Sequence, residues 1–406
     1  MNIWRVPYPK FGDSPGLDRV RAVAARLGID LRAFSEKAVA VIGSNGKGST
    51  AAMAAALIAQ TNPDVGLFTS PHLLDLSERF RIGDDDITDA ELVRHWRRVM
   101  DAVEACRLGA ATGGFEFLFL IAADWFAARG CAHTVWEAGL GGRLDPIRLI
   151  EAKHTVLTSI DFEHTALLGE TREAIALEKI AAVARGHALA IGDSVAGDAI
   201  VRAAIERWCE ANAVVLSITS PLADAPLAGA HQRSNAALAL WLAQEQVQLN
   251  GEQIHAGFAF TRWPGRLEVL SADPLEVIDV GHTPDGVAAA LEGFESMRGA
   301  RPAVLVCGVS HDKEASAILA RLAPAFSDII CAAAHHKGAP AANIAAHAQA
   351  ANSTAEITLA ESVIDARRLA LAKAEGGAIY VAGGLFLVAE YKAAHLGRDP
   401  ASLVFF

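Results

Sequence analysis

The segment VAVIGSNGKGSTAAMAAALIAQ, residues 39–60, narrows the fold more than any other stretch of this 406-residue chain. VAVIG at 39–43 is a short run with no polar alternation, the pattern of a strand buried on both faces. Residues 49–60 are small and apolar and predict the helix that follows. The same alternation recurs: strands are expected at 65–68, 133–139 and 154–161, and helices at 89–106, 115–128, 171–183 and 235–244. Ala-rich helices between β-branched runs make a parallel sheet covered on both faces. At TRWPGRLEV, residues 261–269, Pro264 and Gly265 interrupt the pattern. A second series then begins, with strands expected at 275–281, 302–309, 328–334 and 378–384. The chain therefore reads as two α/β domains, residues 1–265 and 266–406.

Composition excludes several classes. Hydrophobic types are 52% of the chain and charged types 20%, enough for large cores and against global disorder. The apolar stretches 51–59 and 115–128 fall short of a bilayer span, and Glu116 and Asp124 break the second. A net charge of −11 disfavours nucleic acid and anionic membrane as partners. Residues 1–13 show no basic segment followed by an apolar one, so no secretory leader is read there. Five scattered cysteines without CxxC spacing argue against a zinc site or a disulfide framework and for a reducing cytoplasm.

The chemistry concentrates in GSNGKGST, residues 43–50, between the strand and the helix. Small residues let the backbone wrap a phosphate chain, with N–H groups converging at the helix N-terminus. Asn45, Gly46, Lys47, Gly48 and Ser49 are the candidate phosphate-binding residues. Lys47 neutralises β- and γ-phosphates in this reading, and Ser49 or Thr50 reaches the metal. The spacing is a variant of GxxxxGK[ST], because Gly48 follows the lysine.

Seven further segments lie in order: FTSPHLLDLSERFRIGDDDIT (68–88), FEFLFLIAADWF (115–126), EAGLGGRLDP (137–146), SIDFEHTALLGETREAIALEKIA (159–181), HQRSNAALAL (231–240), WPGRLEV (263–269) and DVGHTPDG (279–286). Together they resemble the folylpolyglutamate synthase/dihydrofolate synthase family of the Mur ligase superfamily, from about residue 15 almost to the last residue. The resemblance implies a P-loop-type parallel-sheet domain with helices on both faces, then a smaller Rossmann-like α/β domain. It implies Ser70, Glu137 and His164 as magnesium ligands, and Lys179 as the match of a lysine that can be carbamylated and then approaches the metal site as an anion. Read without the family, Lys179 is an exposed helix lysine. Asn235 matches an adenine- or ribose-side contact, and Arg266 and Asp279 match residues by which the linker and second domain reach the nucleotide. Phe115, Glu116, Leu144, Asp145, Pro146 and His282 fall in acceptor-side segments.

The resemblance implies an ATP- and Mg²⁺-dependent ligase joining L-glutamate to a pterin or folate carboxylate through an acyl phosphate, with Lys47, Glu137, His164 and Lys179 as its catalytic set. It also implies a cytoplasmic monomer whose partners are small molecules. Departures cluster on the acceptor side. The family's RLDATN is RLDPIR here, at 143–148; the Asp before the HT pair is Glu163; and DGAHNP becomes DVGHTP, with Gly281 and Thr283. A ligase with a non-folate acceptor and a non-catalytic ATP-binding homologue are the other readings these departures leave.

Overall fold

The computed structural model describes residues 6–9 and 16–405. Most of the N-terminal stretch read for a leader, residues 1–13, lies outside them. Eight strands form the first sheet: β1 (Ala38–Ile42), β2 (Val65–Phe68), β3 (Phe80–Ile82), β4 (Asp85–Asp86), β5 (His133–Glu137), β6 (His154–Leu157), β7 (Ala188–Ile191) and β8 (Val215–Ile218). Their order is β4-β3-β2-β5-β1-β6-β7-β8. From β2 to β8 every pairing is parallel, while β3 and β4 add an antiparallel edge.

The period-two alternation of β1 explains its central place. Ala38, Ala40 and Ile42 face one hydrophobic cluster, with Phe117, Ile121 and Trp136, while Val39 and Val41 face another, with Met53, Leu57 and Leu238. Both faces are covered, so a continuous apolar strand leaves nothing exposed. The helix Lys47–Ile58 is buried along almost its whole length against the helix His231–Gln246. Its alanines give the closeness that such a sandwiched helix needs.

A second sheet contains β9 (Glu268–Ala272), β10 (Leu275–Ile278), β11 (Ala303–Cys307), β12 (Asp328–Cys331), β13 (Glu356–Leu359) and β14 (Ala378–Ala382). The order is β13-β12-β11-β14-β10-β9, parallel except for the β9–β10 hairpin. It too is buried on both faces: Leu305 and Cys307 point into one cluster, Val304 and Val306 into the other. The expected strands are all present; that at 65–68 ends where expected, and the others end one to four residues before their apolar runs do. Strands β7 and β8, the β3–β4 edge, β9 and β13 were not foreseen. Among the described residues no helix is long and apolar enough to cross a membrane.

Candidate active site

Ligands of parallel sheets bind beyond the carboxyl ends of the strands, and here both sheets aim those ends at one cavity of about 680 Å³. The first sheet contributes Ser44–Gly48 after β1, Thr69 and Ser70 after β2, Glu137 and Gly139 from β5, and His164 beyond β6. The second sheet contributes Val280 and His282 after β10, Ser310 and Lys313 after β11, Lys337 after β12, and Phe386 after β14. Trp263, Pro264 and Arg266 line the cavity between them. Its wall carries eight cationic and seven acidic side chains, a local excess of positive charge within a chain of net charge −11.

The Gly-rich loop is held from behind by the segment after β6. Thr158 Oγ1 donates to the Asn45 carbonyl at 2.6 Å, the Asn45 N–H donates to Ser159 Oγ at 2.8 Å, and the Asp161 N–H donates to Ser44 Oγ at 3.0 Å. Gly46 caps the helix with φ +83°, a left-handed conformation that favours glycine, and a Cβ there would lie 2.5 Å from Asn235 Oδ1. Asn235 therefore sits directly against the loop although it does not line the cavity. Lys47 folds its ammonium onto the Gly43 and Ser44 carbonyls at 2.8 and 3.0 Å. Ser49 is buried beneath the loop and accepts from Gln232 Nε2 at 3.4 Å. Thr50 Oγ1 and Arg266 Nε are buried without a hydrogen-bond partner. Buried orphan donors beside an open Gly-rich loop suit a polyanion with oxygens to offer.

Glu137 ends β5 wholly buried, and its Oε2 accepts the Ser70 N–H at 2.9 Å. Burial pushes its carboxyl up to about 7, against the pull of Lys47, the Ser70 N–H, Arg266 and Arg79. A buried carboxylate touching Ser70 is a hard-oxygen donor set that a divalent cation would stabilise. His164 lines the same cavity, held at φ +45° as the N-cap of a one-turn helix. Among the described residues no group of three or more His, Cys, Asp or Glu side chains converges on one metal position. A cation here would therefore draw on Ser70 and on ligand oxygens as well, which fits Mg²⁺, an ion that retains waters and phosphates.

Lys179 is buried, at 1% exposure, rather than the exposed helix lysine that the sequence alone suggested. Its ammonium donates to Glu163 Oε1 at 2.6 Å and to the Gly43 carbonyl at 3.0 Å. Burial, then the nearby Lys47, lowers the ammonium to about 8 even though Glu163 opposes this. Burial works to raise Glu163, but Lys47 and Lys179 outweigh it and hold that carboxyl below its ordinary range. Lys179 and Glu163 thus meet as a pair behind the loop, Glu163 being one methylene longer than the Asp usual there.

Several acceptor-side residues line the cavity while spending their polar groups on structure. Asp145 accepts from the N–H groups of Gly139, Leu140 and Ile147 at 2.8, 3.0 and 3.0 Å, and burial raises it to about 6. Glu116 accepts from Arg19 Nε at 2.7 Å and from the Gly113 N–H at 3.0 Å. Phe115, Leu144 and Pro146 give apolar wall. Asp279 lies off the cavity, fully engaged by the Gly281 and Leu267 N–H groups at 2.7 and 3.1 Å. His282 is neutral, its imidazole pushed down to about 4, first by burial and then by Lys313. Of the departures at 146–148, Pro146 alone reaches the cavity: Ile147 is in the core, and Arg148 turns to the Arg143 carbonyl at 2.9 Å. Thr283 caps the helix Pro284–Arg298 and donates to Asn45 Oδ1 at 3.4 Å, so this departure touches the phosphate loop itself.

Trp263 was overlooked as a site residue, although it stood in the WPGR segment. A Cβ on Gly48 would lie 2.2 Å from Trp263 Cζ2. Arg79, Lys313, Lys337, Phe386 and Phe405 also line the cavity. No local pattern marks the last four, because they reach it from segments distant in sequence from the Gly-rich loop.

Two α/β sheets, a Gly-Lys loop and a shared cavity define a class, and the comparisons agree. Residues 265–385 match the family described as Mur ligase, glutamate ligase domain. The chain is 31% identical over 379 residues to the dihydrofolate synthase/folylpolyglutamate synthase of Mycobacterium tuberculosis, covering 82% of this chain and 77% of that protein. A probable bifunctional folylpolyglutamate synthase/dihydropteroate synthase of Halobacterium salinarum is 32% identical over 409 residues, 94% of this chain and 49% of that protein. The chain thus spans about half the length of that relative. The bifunctional folylpolyglutamate synthase/dihydrofolate synthase of Yersinia pestis, solved with AMPPNP and Mn ion, superposes with a TM-score of 0.82 at 28% identity, over 95% of this chain and 94% of that one. The chain belongs to the folylpolyglutamate synthase/dihydrofolate synthase family.

Proposed function

We propose that this chain is an ATP-dependent amide ligase that adds L-glutamate to the carboxylate of a dihydropteroate or folate-like acceptor. The observation that carries this reading is the shared cavity, where the Lys47 loop, the Ser70–Glu137 pair and Arg266 meet between the carboxyl ends of both sheets. Names and ligands of the relatives support it: dihydrofolate and folylpolyglutamate synthases, one holding AMPPNP and manganese. An acceptor carboxylate oxygen attacks the γ-phosphorus, and the bond to the bridging β–γ oxygen breaks, giving an acyl phosphate and ADP. The free amine of glutamate then attacks the acyl carbon; the C–N bond forms, the C–O bond to phosphate breaks, and a proton leaves the nitrogen.

Such chemistry is positioning and charge neutralisation. Lys47 swings from the Gly43 and Ser44 carbonyls to the phosphates, exchanging two neutral acceptors for charged ones. Arg266, with its unpartnered Nε, faces the same anion from the linker. Lys179 keeps Gly43 and Glu163 in place beneath the loop. Ser70, Glu137 and His164 would hold Mg²⁺, which supplies charge neutralisation of the phosphates when bound. We assign the two domains to residues 1–265 and 266–406, with closure about Pro264–Arg266 excluding water from the acyl phosphate. We assign a monomer, and five unpaired thiols suit a reducing cytoplasm.

A folate-like acceptor is favoured over another acid because Ile147 and Arg148, two of the departures, face away from the cavity. The test is purified protein with MgATP, L-glutamate and either dihydropteroate or a reduced folate, following ADP and product mass. ADP formation with a pterin acceptor and a product one glutamyl residue heavier is the expected outcome. Turnover only with an unrelated acid would refute the acceptor, and no acceptor-dependent ADP would refute the ligase.

A further inference from the structure

The loop after β2 carries Ser70 into the cavity and then, over residues 72–75, is gripped by the second domain. Leu73 is buried in the hydrophobic cluster of the second sheet, with Ile278, Val280 and Val306, and Leu403 and Phe405 pack on the same cluster. The His72 ring stacks on Phe405, centroids 5.3 Å apart and planes 9° from parallel. His72 Nε2 lies 2.9 Å from the Val404 carbonyl, and Arg79 Nε lies 2.9 Å from His72 Nδ1. A carbonyl only accepts and a guanidinium N–H only donates. The imidazole is therefore neutral, with its proton on Nε2 and its Nδ1 lone pair taking the arginine. Arg398 makes a two-pronged pair with Asp75, at 2.8 Å on each oxygen.

These contacts form one line from the second domain to the catalytic wall. Arg79, which accepts its orientation from His72, lines the cavity, and its own carbonyl takes the Thr69 N–H at 3.1 Å. The next residue, Ser70, donates to Glu137. We propose that residues 398–405 are an interdomain clasp whose Phe405 and Val404 act through His72 as positioning residues, setting the Ser70 loop against Glu137 when the two domains are in register. The inference rests on the nucleotide-site reading above. It assigns a role in that site to a segment remote from the Gly-rich loop. Phe405 also walls the cavity directly, beside Phe386 at 4.9 Å between centroids.

The test is calorimetric binding of MgAMPPNP to full-length wild-type, Phe405→Ala, Phe405→Tyr and Arg398→Glu proteins, with the melting temperature and the solution radius of gyration recorded for each. Losing the ring stack should weaken binding about fivefold in Phe405→Ala, while Phe405→Tyr, which keeps the stack, stays close to wild type. Arg398→Glu, at a partly exposed pair, should weaken it about threefold. The ligand-induced decrease in radius should shrink in step with affinity while the melting temperature holds. Wild-type affinity and compaction in both Phe405→Ala and Arg398→Glu would overturn the clasp. A weakened Phe405→Ala that Tyr does not rescue, or one whose loss follows melting alone, would overturn it too. If wild type itself fails to bind MgAMPPNP, the nucleotide reading falls instead.

Discussion

Replacing Gly48 by alanine tests how the phosphate loop is tied to the interdomain linker. Gly48 is the second residue of the helix Lys47–Ile58 and lies outside the positive-φ set, so its backbone tolerates a side chain. Helix propensity and a stiffer unfolded chain would by themselves favour alanine by about 0.5–1 kcal/mol. The obstacle is Trp263, whose Cζ2 and Cε2 would lie 2.2 and 2.8 Å from the new Cβ. Overpacking of this kind costs about 1–3 kcal/mol, so the clash outweighs the propensity gain. The half-buried indole has one escape, which is to rotate out and give up its place in the cavity wall. Gly48→Ala should therefore lose about 1–2 kcal/mol by chemical denaturation and bind MgAMPPNP about tenfold more weakly. In a Trp263→Ala background the clash is gone, and the same substitution should become neutral or stabilising by up to about 1 kcal/mol. The denaturation cycle of four proteins reads this sign change directly. Equal destabilisation in both backgrounds would refute the argument, since the indole would then not be what requires glycine.

Three other outcomes follow from the geometry. Lys47→Ala should cut acceptor-dependent ADP formation by at least about 10²-fold with the far-ultraviolet circular dichroism unchanged; wild-type turnover would remove Lys47 from the site. Glu137 is raised from an ordinary 4.5 to about 7, so the folded carboxyl keeps a proton that the unfolded one has lost. Ligand-free stability from this group is full below about 4.5 and lost as pH rises to about 7, at most about 3 kcal/mol in all. Glu137→Gln should flatten that fall in urea unfolding across the same window, and an unchanged slope would contradict the assignment. Asp145→Ala strands three backbone N–H groups, of which that of Ile147 is buried, and should cost about 1–3 kcal/mol of stability. Asp145→Asn, which keeps an acceptor oxygen, should recover most of it, and a loss confined to acceptor KM would instead make Asp145 a binding residue.

Much of the first domain was legible in local pattern. The strand, Gly-rich loop and helix at 39–60 were marked because burial on two faces, positive φ and phosphate approach each restrict residue type at adjacent positions. The edge strands were harder. β8 and β13 have intermediate and exposed residues, Val215 at 64% and Leu359 at 55% exposure, so they lack the apolar run that identifies a central strand. The same limit applied to function. Asp145 and Glu116 looked like ligand contacts from their motif, yet their oxygens are spent on backbone N–H groups and an arginine, a difference that no spacing rule conveys.

What the sequence alone determined is the covalent and local part: two parallel α/β series, the Gly-rich loop between strand and helix, and the identity of the charged residues placed after the strands. These follow from periodicity and from chain neighbours within a few residues. Tertiary structure alone decided which of those residues meet. It buried Lys179 against Glu163, set the Trp263 ring over Gly48, turned Ile147 and Arg148 away from the cavity, and carried Phe405 across to His72, more than three hundred residues away. Burial and hydrogen-bond partnership depend on the packing of distant segments, and that packing gives each polar group its charge state and its task.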